Sequence, residues 1–174
     1  NQSAGTAALN LNYLYDKASI FFNFGVDGAT AGEKTYYFDD IGVVAGDGGG
    51  GGPISARGLT DFEDAGAPYT FSDFDGGAAT VIDNPDISGI DMSAKVAQMQ
   101  KFAGQPWGGT TLDMGGDVDW SAGEAWTMKV RSSRVVPVLF KWEGLNQELS
   151  VDHAGSGTWE ELCFDFTGMT GGAA

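Results

Sequence analysis

A chain of 174 residues with 42% hydrophobic content is long enough to bury one core of ordinary domain size, which excludes disorder throughout. Twenty-four acidic residues against nine basic ones give a formal charge of −15, so the surface repels nucleic acid and anionic membranes and suits neutral ligands, metal cations and salty surroundings. The single cysteine, Cys163, excludes an internal disulfide, and there is no apolar run of about 18 residues to insert into a membrane.

Taken in chain order, most segments read as strands. The opening residues NQSAGTAALN have neither a basic nor an apolar signal region. KASIFFNFGV (17–26) places Ile20, Phe22 and Phe24 on one face, and KTYYFDDIGVV (34–44) alternates Tyr37, Asp39 and Ile41 against Tyr36, Phe38 and Asp40. PYTFSDF (68–74), AATVID (78–83), AWTMKVRS (125–132), VPVLFKWEG (136–144), QELSVDH (147–153) and WEELCFDF (159–166) are strand-length and rich in β-branched or aromatic residues. MSAKVAQMQKFAG (92–104) fits either a short helix or a strand ending at Phe102. SDFDGG and DNPD put carboxylates beside glycine or proline and read as turns. Many short strands separated by turn residues predict an all-β sandwich of two antiparallel sheets.

One stretch breaks the pattern. Gly46 to Pro53 contains five consecutive glycines, which pack nothing and read as a linker. It divides the chain into a front segment, 1–45, and a rear segment, 54–174. The front segment is too small to bury a core alone, and the rear segment stops just after a strand with Leu162, Phe164 and Phe166 on one face. Each segment is expected to supply what the other lacks.

Several stretches together carry a family resemblance: DFED (61–64), YTFSDFDGGAATVIDNPD (69–86), SAKVAQMQKFAGQPWGG (93–109), WTMKVRSSRVVPVLFKWEG (126–144), WEELCFDFTG (159–168) and YDKASIFFNFGVDGATAGEKTYYFDDI (15–41). They resemble the calcium-dependent jelly-roll carbohydrate-binding modules appended to secreted enzymes acting on marine and algal polysaccharides. In that family DFED comes first and YYFDDI last, whereas here the order is reversed. The resemblance therefore implies either a circularly permuted jelly roll, closed by the glycine linker into a monomer, or a chain spanning a repeat boundary, completed by strand exchange in a homo-oligomer. It also implies a secreted protein and a structural calcium ion between the first and last strands. Calcium takes six to eight oxygen ligands. By resemblance Asp39, Asp40 and Glu63 are its foremost ligands, with Asp61 and Asp64 next.

The polysaccharide-binding candidates come from the residues themselves. Trp107, in GQPWGG, sits in a loop that cannot be strand core and offers an aromatic face to a sugar ring, or else plugs one end of the sandwich. Lys101 and Gln105 stand close in sequence as donors to sugar hydroxyls. Lys129 and Arg131 alternate outward on one strand, and Lys141 and Glu143 on the next. A hairpin near SSRVVP would join these strands, as cross-strand ion pairs or as the floor of a glycan groove, the one basic feature to favour an acidic polysaccharide such as alginate. Trp126, Trp142 and Trp159 fall at apolar strand positions and read as core, while Trp120 starts a turn. His153, the one histidine, lies in a turn-like VDHAGSG with no catalytic motif around it, so no enzyme is expected. The expected function is a non-catalytic module binding a β-glucan or related algal polysaccharide; the alternative is a building block of an adhesin or filament.

Overall fold

The computed structural model describes residues 15–44, 60–64, 69–116, 118, 123–144 and 147–167. Ten strands and one short helix follow in the order β1 (Lys17–Phe22), α1 (Gly28–Ala31), β2 (Lys34–Val44), β3 (Thr70–Phe74), β4 (Gly77–Asp83), β5 (Lys95–Lys101), β6 (Gly109–Asp113), β7 (Ala125–Arg131), β8 (Val135–Trp142), β9 (Gln147–Ala154) and β10 (Trp159–Asp165). They form two five-stranded sheets, β3-β6-β1-β8-β9 and β10-β7-β2-β5-β4, in which every pairing is antiparallel. The protein is a β-sandwich. The front segment supplies the middle strand of both sheets: β1 joins β6 to β8, and β2 joins β5 to β7. The glycine stretch at 46–53 lies outside the described residues.

Alternation along the strands builds the core between the sheets. Ile20 and Phe22 of β1, Tyr36 and Phe38 of β2, Met128 and Val130 of β7, Val138 and Phe140 of β8, and Phe164 of β10 are all buried there. Phe22 stacks on Tyr36 with ring centroids 4.7 Å apart and planes 7° from parallel, tying the two central strands across the sandwich. Trp126 meets Trp142 edge-on at 4.8 Å, a second bridge between the sheets. Both tryptophans were expected in the core, and Trp159 is buried as well.

Two sequence expectations change here, and one left open is decided. Phe24 does not continue the buried face of Ile20 and Phe22; β1 ends at Phe22, Asn23 turns with φ 52°, and Phe24 is 39% exposed. Of the two readings open for 92–104, the strand is the one that forms, over 95–101 and ending one residue before Phe102. The alternation in β2 also shifts. Asp39 pairs with Lys129 but Gly42 with Thr127, so β2 carries one extra residue, and Asp40 takes φ 48°. This β-bulge turns Ile41 into the core beside Phe38. Past the bulge, Ile41 exchanges backbone hydrogen bonds with Thr60 (3.1 and 2.9 Å), so the residue just before DFED pairs with the YYFDDI strand.

Replacing Phe22 by alanine is expected to cost about 3–5 kcal/mol of unfolding free energy, typical of an emptied aromatic core site. Phe24→Ala is expected to cost under about 1 kcal/mol, as for a surface change. Urea titration of the two variants checks this; equal losses would contradict the turn at Asn23.

Candidate functional site

At one end of the sandwich the loop between β5 and β6 wraps around the β3–β4 turn. Asp75 and Gly76 make that turn, with φ 52° and 96°. The Asp75 carbonyl accepts from Gln105 N at 2.9 Å. A Cβ at Gly104 would lie 2.3 Å from this carbonyl oxygen, and one at Gly108 2.5 Å, so glycine at both positions is what allows the two backbones to meet. Between these contacts Trp107 stands 47% exposed, and its Nε1 donates to Asp75 Oδ2 at 2.8 Å. The indole is thus held from its edge while part of the ring stays open to solvent.

Beneath the loop lies Lys101, which is buried instead of facing a ligand. Its ammonium donates to the carbonyl oxygens of Phe22 and Asn23, both at 3.0 Å, and of Pro106 at 2.9 Å. All three donors of the group are used. Burial pulls its pKa down, while the charge of Asp27 acts in the opposite direction. Asp27 caps α1 by accepting from Thr30 N at 2.7 Å, and these hydrogen bonds hold its carboxyl below the ordinary range. Lys101 therefore fastens the end of β1 to the residue before Trp107. Gln105 contributes its backbone to the same loop and is exposed.

The outer face of the sheet containing β1 continues from this end. Register places Phe74, Phe21 and Leu139 in one row, with Gly109 between Phe74 and Phe21. Phe21 makes edge contacts of 5.5 Å with both Phe74 and Phe24. The next row runs Ser72, Thr111, Ser19, Lys141 and Glu148. Ser19 donates to Glu143 Oε1 at 2.6 Å. Its only hydroxyl proton is then committed, so Thr111 donates to Ser19 across their 2.6 Å contact. Lys141 pairs with Glu143 at 3.1 Å. Aromatic and polar rows thus lie side by side, with Trp107 at the aromatic end.

Lys129 and Arg131 belong elsewhere. β7 and β8 lie in different sheets, so the hairpin expected near SSRVVP does not form. Lys129 pairs with Asp40. Arg131 pairs with Asp86 at 2.8 Å and lies 5.7 Å from the Tyr37 ring centroid. Both sit on the outer face of the second sheet, under the loop between β4 and β5. That loop is fastened by Trp159 Nε1 donating to Asp86 O at 2.8 Å and by Asn84 Nδ2 donating to Ser93 O at 2.9 Å.

Under this loop the structure buries two carboxylates. Asp39 and Asp91 are both fully buried. Neither oxygen of Asp39, nor Oδ2 of Asp91, has a hydrogen-bond partner among the described residues. Burial pushes the Asp39 carboxyl up to about 8, against a lowering influence from Ser93, and the charges of Asp40 and Asp91 add to the rise. Burial raises Asp91 too, opposed by hydrogen bonds from Ser93. Lys129 loses some basicity to burial but is held above its ordinary value by its bond to Asp40 and the charges of Asp40, Asp91 and Asp39.

The other expected metal ligands have partners of their own. Glu63 Oε1 accepts from Lys95 N at 2.7 Å, and Asp61 Oδ1 from Glu63 N at 3.1 Å. Asp64 lies close enough to Tyr69 for its charge to act on that phenol. Among the described residues no three His, Cys, Asp or Glu side chains converge as a metal centre. Asp91 falls between DNPD and MSAKVAQMQKFAG and belongs to neither motif; only its burial with a distant strand makes it notable. His153 is not in a turn but in β9, buried, with Nδ1 accepting from Gly155 N at 2.9 Å. Comparisons with protein-family models, curated proteins and solved structures return no match.

Asp39 generates a pH prediction for metal-free protein. Its folded-state pKa lies above the unfolded value of 3.8, so between about 4 and about 8 the folded state binds more protons than the unfolded state. Stability is expected to fall across that window as pH rises, and Asp39→Asn to flatten the fall. Chemical denaturation at several pH values, in chelator, checks this; an unchanged slope in the variant would contradict it.

Proposed function

We propose that the protein is a non-catalytic carbohydrate-binding module, acting outside the cell on a β-glucan or related algal polysaccharide and stabilised by a structural calcium ion. The observation that carries the reading is Trp107, a half-exposed indole fixed by Asp75 in the loop at the end of the sandwich. Sugar rings present C–H faces that pack on such a surface, and an aromatic group already held in place loses little freedom on binding. The adjoining ladder of Thr111, Glu143 and Lys141, tied together through buried Ser19, offers hydrogen-bonding partners for sugar hydroxyls along the same face. A sheet face suits a chain-like ligand.

The calcium part rests on the unpartnered oxygens of Asp39 and Asp91. Two fully buried carboxyl groups keep three such oxygens even with Lys129 nearby, and hard oxygen donors are what calcium takes. Asp39 and Asp91 would hold the ion, with Asp40 beside them shared with Lys129. Bound calcium supplies positive charge that offsets the carboxylates. Asp91 would then clip the β4–β5 loop to the central strand β2.

Two outcomes are expected. Trp107→Ala weakens binding to soluble β-glucan by at least about 1 kcal/mol, as for a lost aromatic anchor, with the melting curve unchanged; calorimetric titration checks this, and full retention of affinity would remove the indole from the site. Chelation lowers the melting temperature by several degrees and calcium restores it, because a ligand bound only by the folded state stabilises it by mass action. A melting curve indifferent to both would leave the buried carboxylates without calcium.

A further inference from the structure

Asp75 does more in this structure than form a turn. Its backbone is fixed by the Gln105 hydrogen bond and by the close approach of Gly104 and Gly108. Its Oδ2 takes the Trp107 indole proton, while Oδ1 makes no hydrogen bond among the described residues and the residue is exposed. A charged acceptor is therefore held at a set position beside the edge of a half-exposed aromatic ring. A sugar lying on that ring carries its hydroxyls around the rim, where one of them meets this oxygen. A charge-assisted hydrogen bond of this kind is about twice as strong as a neutral one.

The surrounding charges give the site a sign. Asp73 stands next to the same turn, with Oδ1 accepting from Ala79 N at 2.9 Å, and Asp27 caps α1 in the loop following β1. Of the lysines on this side, Lys101 is buried on three carbonyl oxygens, Lys141 is paired with Glu143 and Lys17 with Asp16, while Lys34, the register partner of Lys101 on β2, is exposed with no ion pair among the described residues. Lys129 and Arg131, the residues that favoured an acidic polysaccharide, lie on the other sheet in ion pairs. A carboxylated sugar on the indole would meet the fixed negative charge of Asp75, a carboxylate with no ion pair among the described residues.

We infer that Asp75 is a second sugar contact beside Trp107, accepting a hydroxyl proton through Oδ1 and barring carboxylated sugars, so that the site selects neutral polysaccharides; this rests on the carbohydrate reading above. Asn at this position can still accept the indole proton through its amide oxygen, but it turns an uncharged donor toward the ligand. Alanine releases the indole altogether.

The test is calorimetric titration of wild type, Asp75→Asn and Asp75→Ala with a soluble neutral β-glucan and with alginate at low salt. Thermal melts confirm folding, and the asparagine variant carries the test if the alanine variant fails to fold. Wild type is expected to bind the glucan and not alginate. Asp75→Asn is expected to bind glucan about tenfold more weakly, as for loss of a charged hydrogen bond, and alginate at least about tenfold more tightly than wild type. Asp75→Ala is expected to lose glucan binding. An asparagine variant with unchanged affinity for both ligands would reduce Asp75 to a support for the indole and overturn the inference. Wild type binding alginate as tightly as glucan would overturn it while leaving the carbohydrate reading standing. Wild type binding no glycan would overturn that reading, and the inference with it.

Discussion

Phe22 lying flat on Tyr36 is the contact on which the rest of the sandwich depends. The two rings belong to the middle strands of opposite sheets, so one stack fixes the spacing and alignment of both. Without β1 the first sheet is two separate pairs, β3-β6 and β8-β9; without β2 the second is β10-β7 and β5-β4. Short strand pairs with no partner sheet do not persist alone in water. A segment that composition marks as too small to fold by itself is the part around which the other eight strands are arranged.

The same central strands position both candidate sites. The carbonyls at the end of β1 receive the Lys101 ammonium, which secures the loop carrying Trp107. The bulge in β2 brings Asp40 to Lys129 and leaves Asp39 buried under the β4–β5 loop. The two devices work by different physics. At the tip, close backbone packing and saturated hydrogen bonds leave the aromatic ring little freedom. Beneath the loop, unpartnered oxygens leave an electrostatic cost that a bound cation would relieve.

How much of this was legible in the sequence varies with the range of the interaction. Period-two alternation revealed β1, β2, β7, β8 and β10 and placed Trp126 and Trp142 inside. It failed at Phe24 because a single left-handed residue, Asn23, ends the strand. β6 was passed over because GTTLD is short and enclosed by glycines. Lys101 was readable in principle: it follows Ala97 and Met99 at two-residue spacing on the buried face of β5, and reading that stretch as a possible helix hid the pattern. The importance of Asp75 and Asp91 was not readable, since each depends on a segment far away in the chain. Of the metal ligands expected from DFED, Asp61 bonds the N–H two residues on, a local contact open to any Asp, whereas Glu63 reaches Lys95 N across 32 positions, a partner that its own stretch does not reveal.

The central placement of β1 also bears on how the chain acquires its structure. Ser19 and Thr111 touch across 92 positions, and Tyr15 reaches Gln147 across 132. Domains built from such distant pairings fold slowly, since long loops must close before any contact rewards them. During synthesis from the N-terminus, β1 and β2 precede all their partners, and both edges of each wait unpaired while more than half of the sandwich is still to be made. Their apolar faces are exposed in that interval to other nascent chains. The front segment, 1–45, carries five acidic residues against two basic ones, so like charge opposes the meeting of waiting strands from neighbouring molecules.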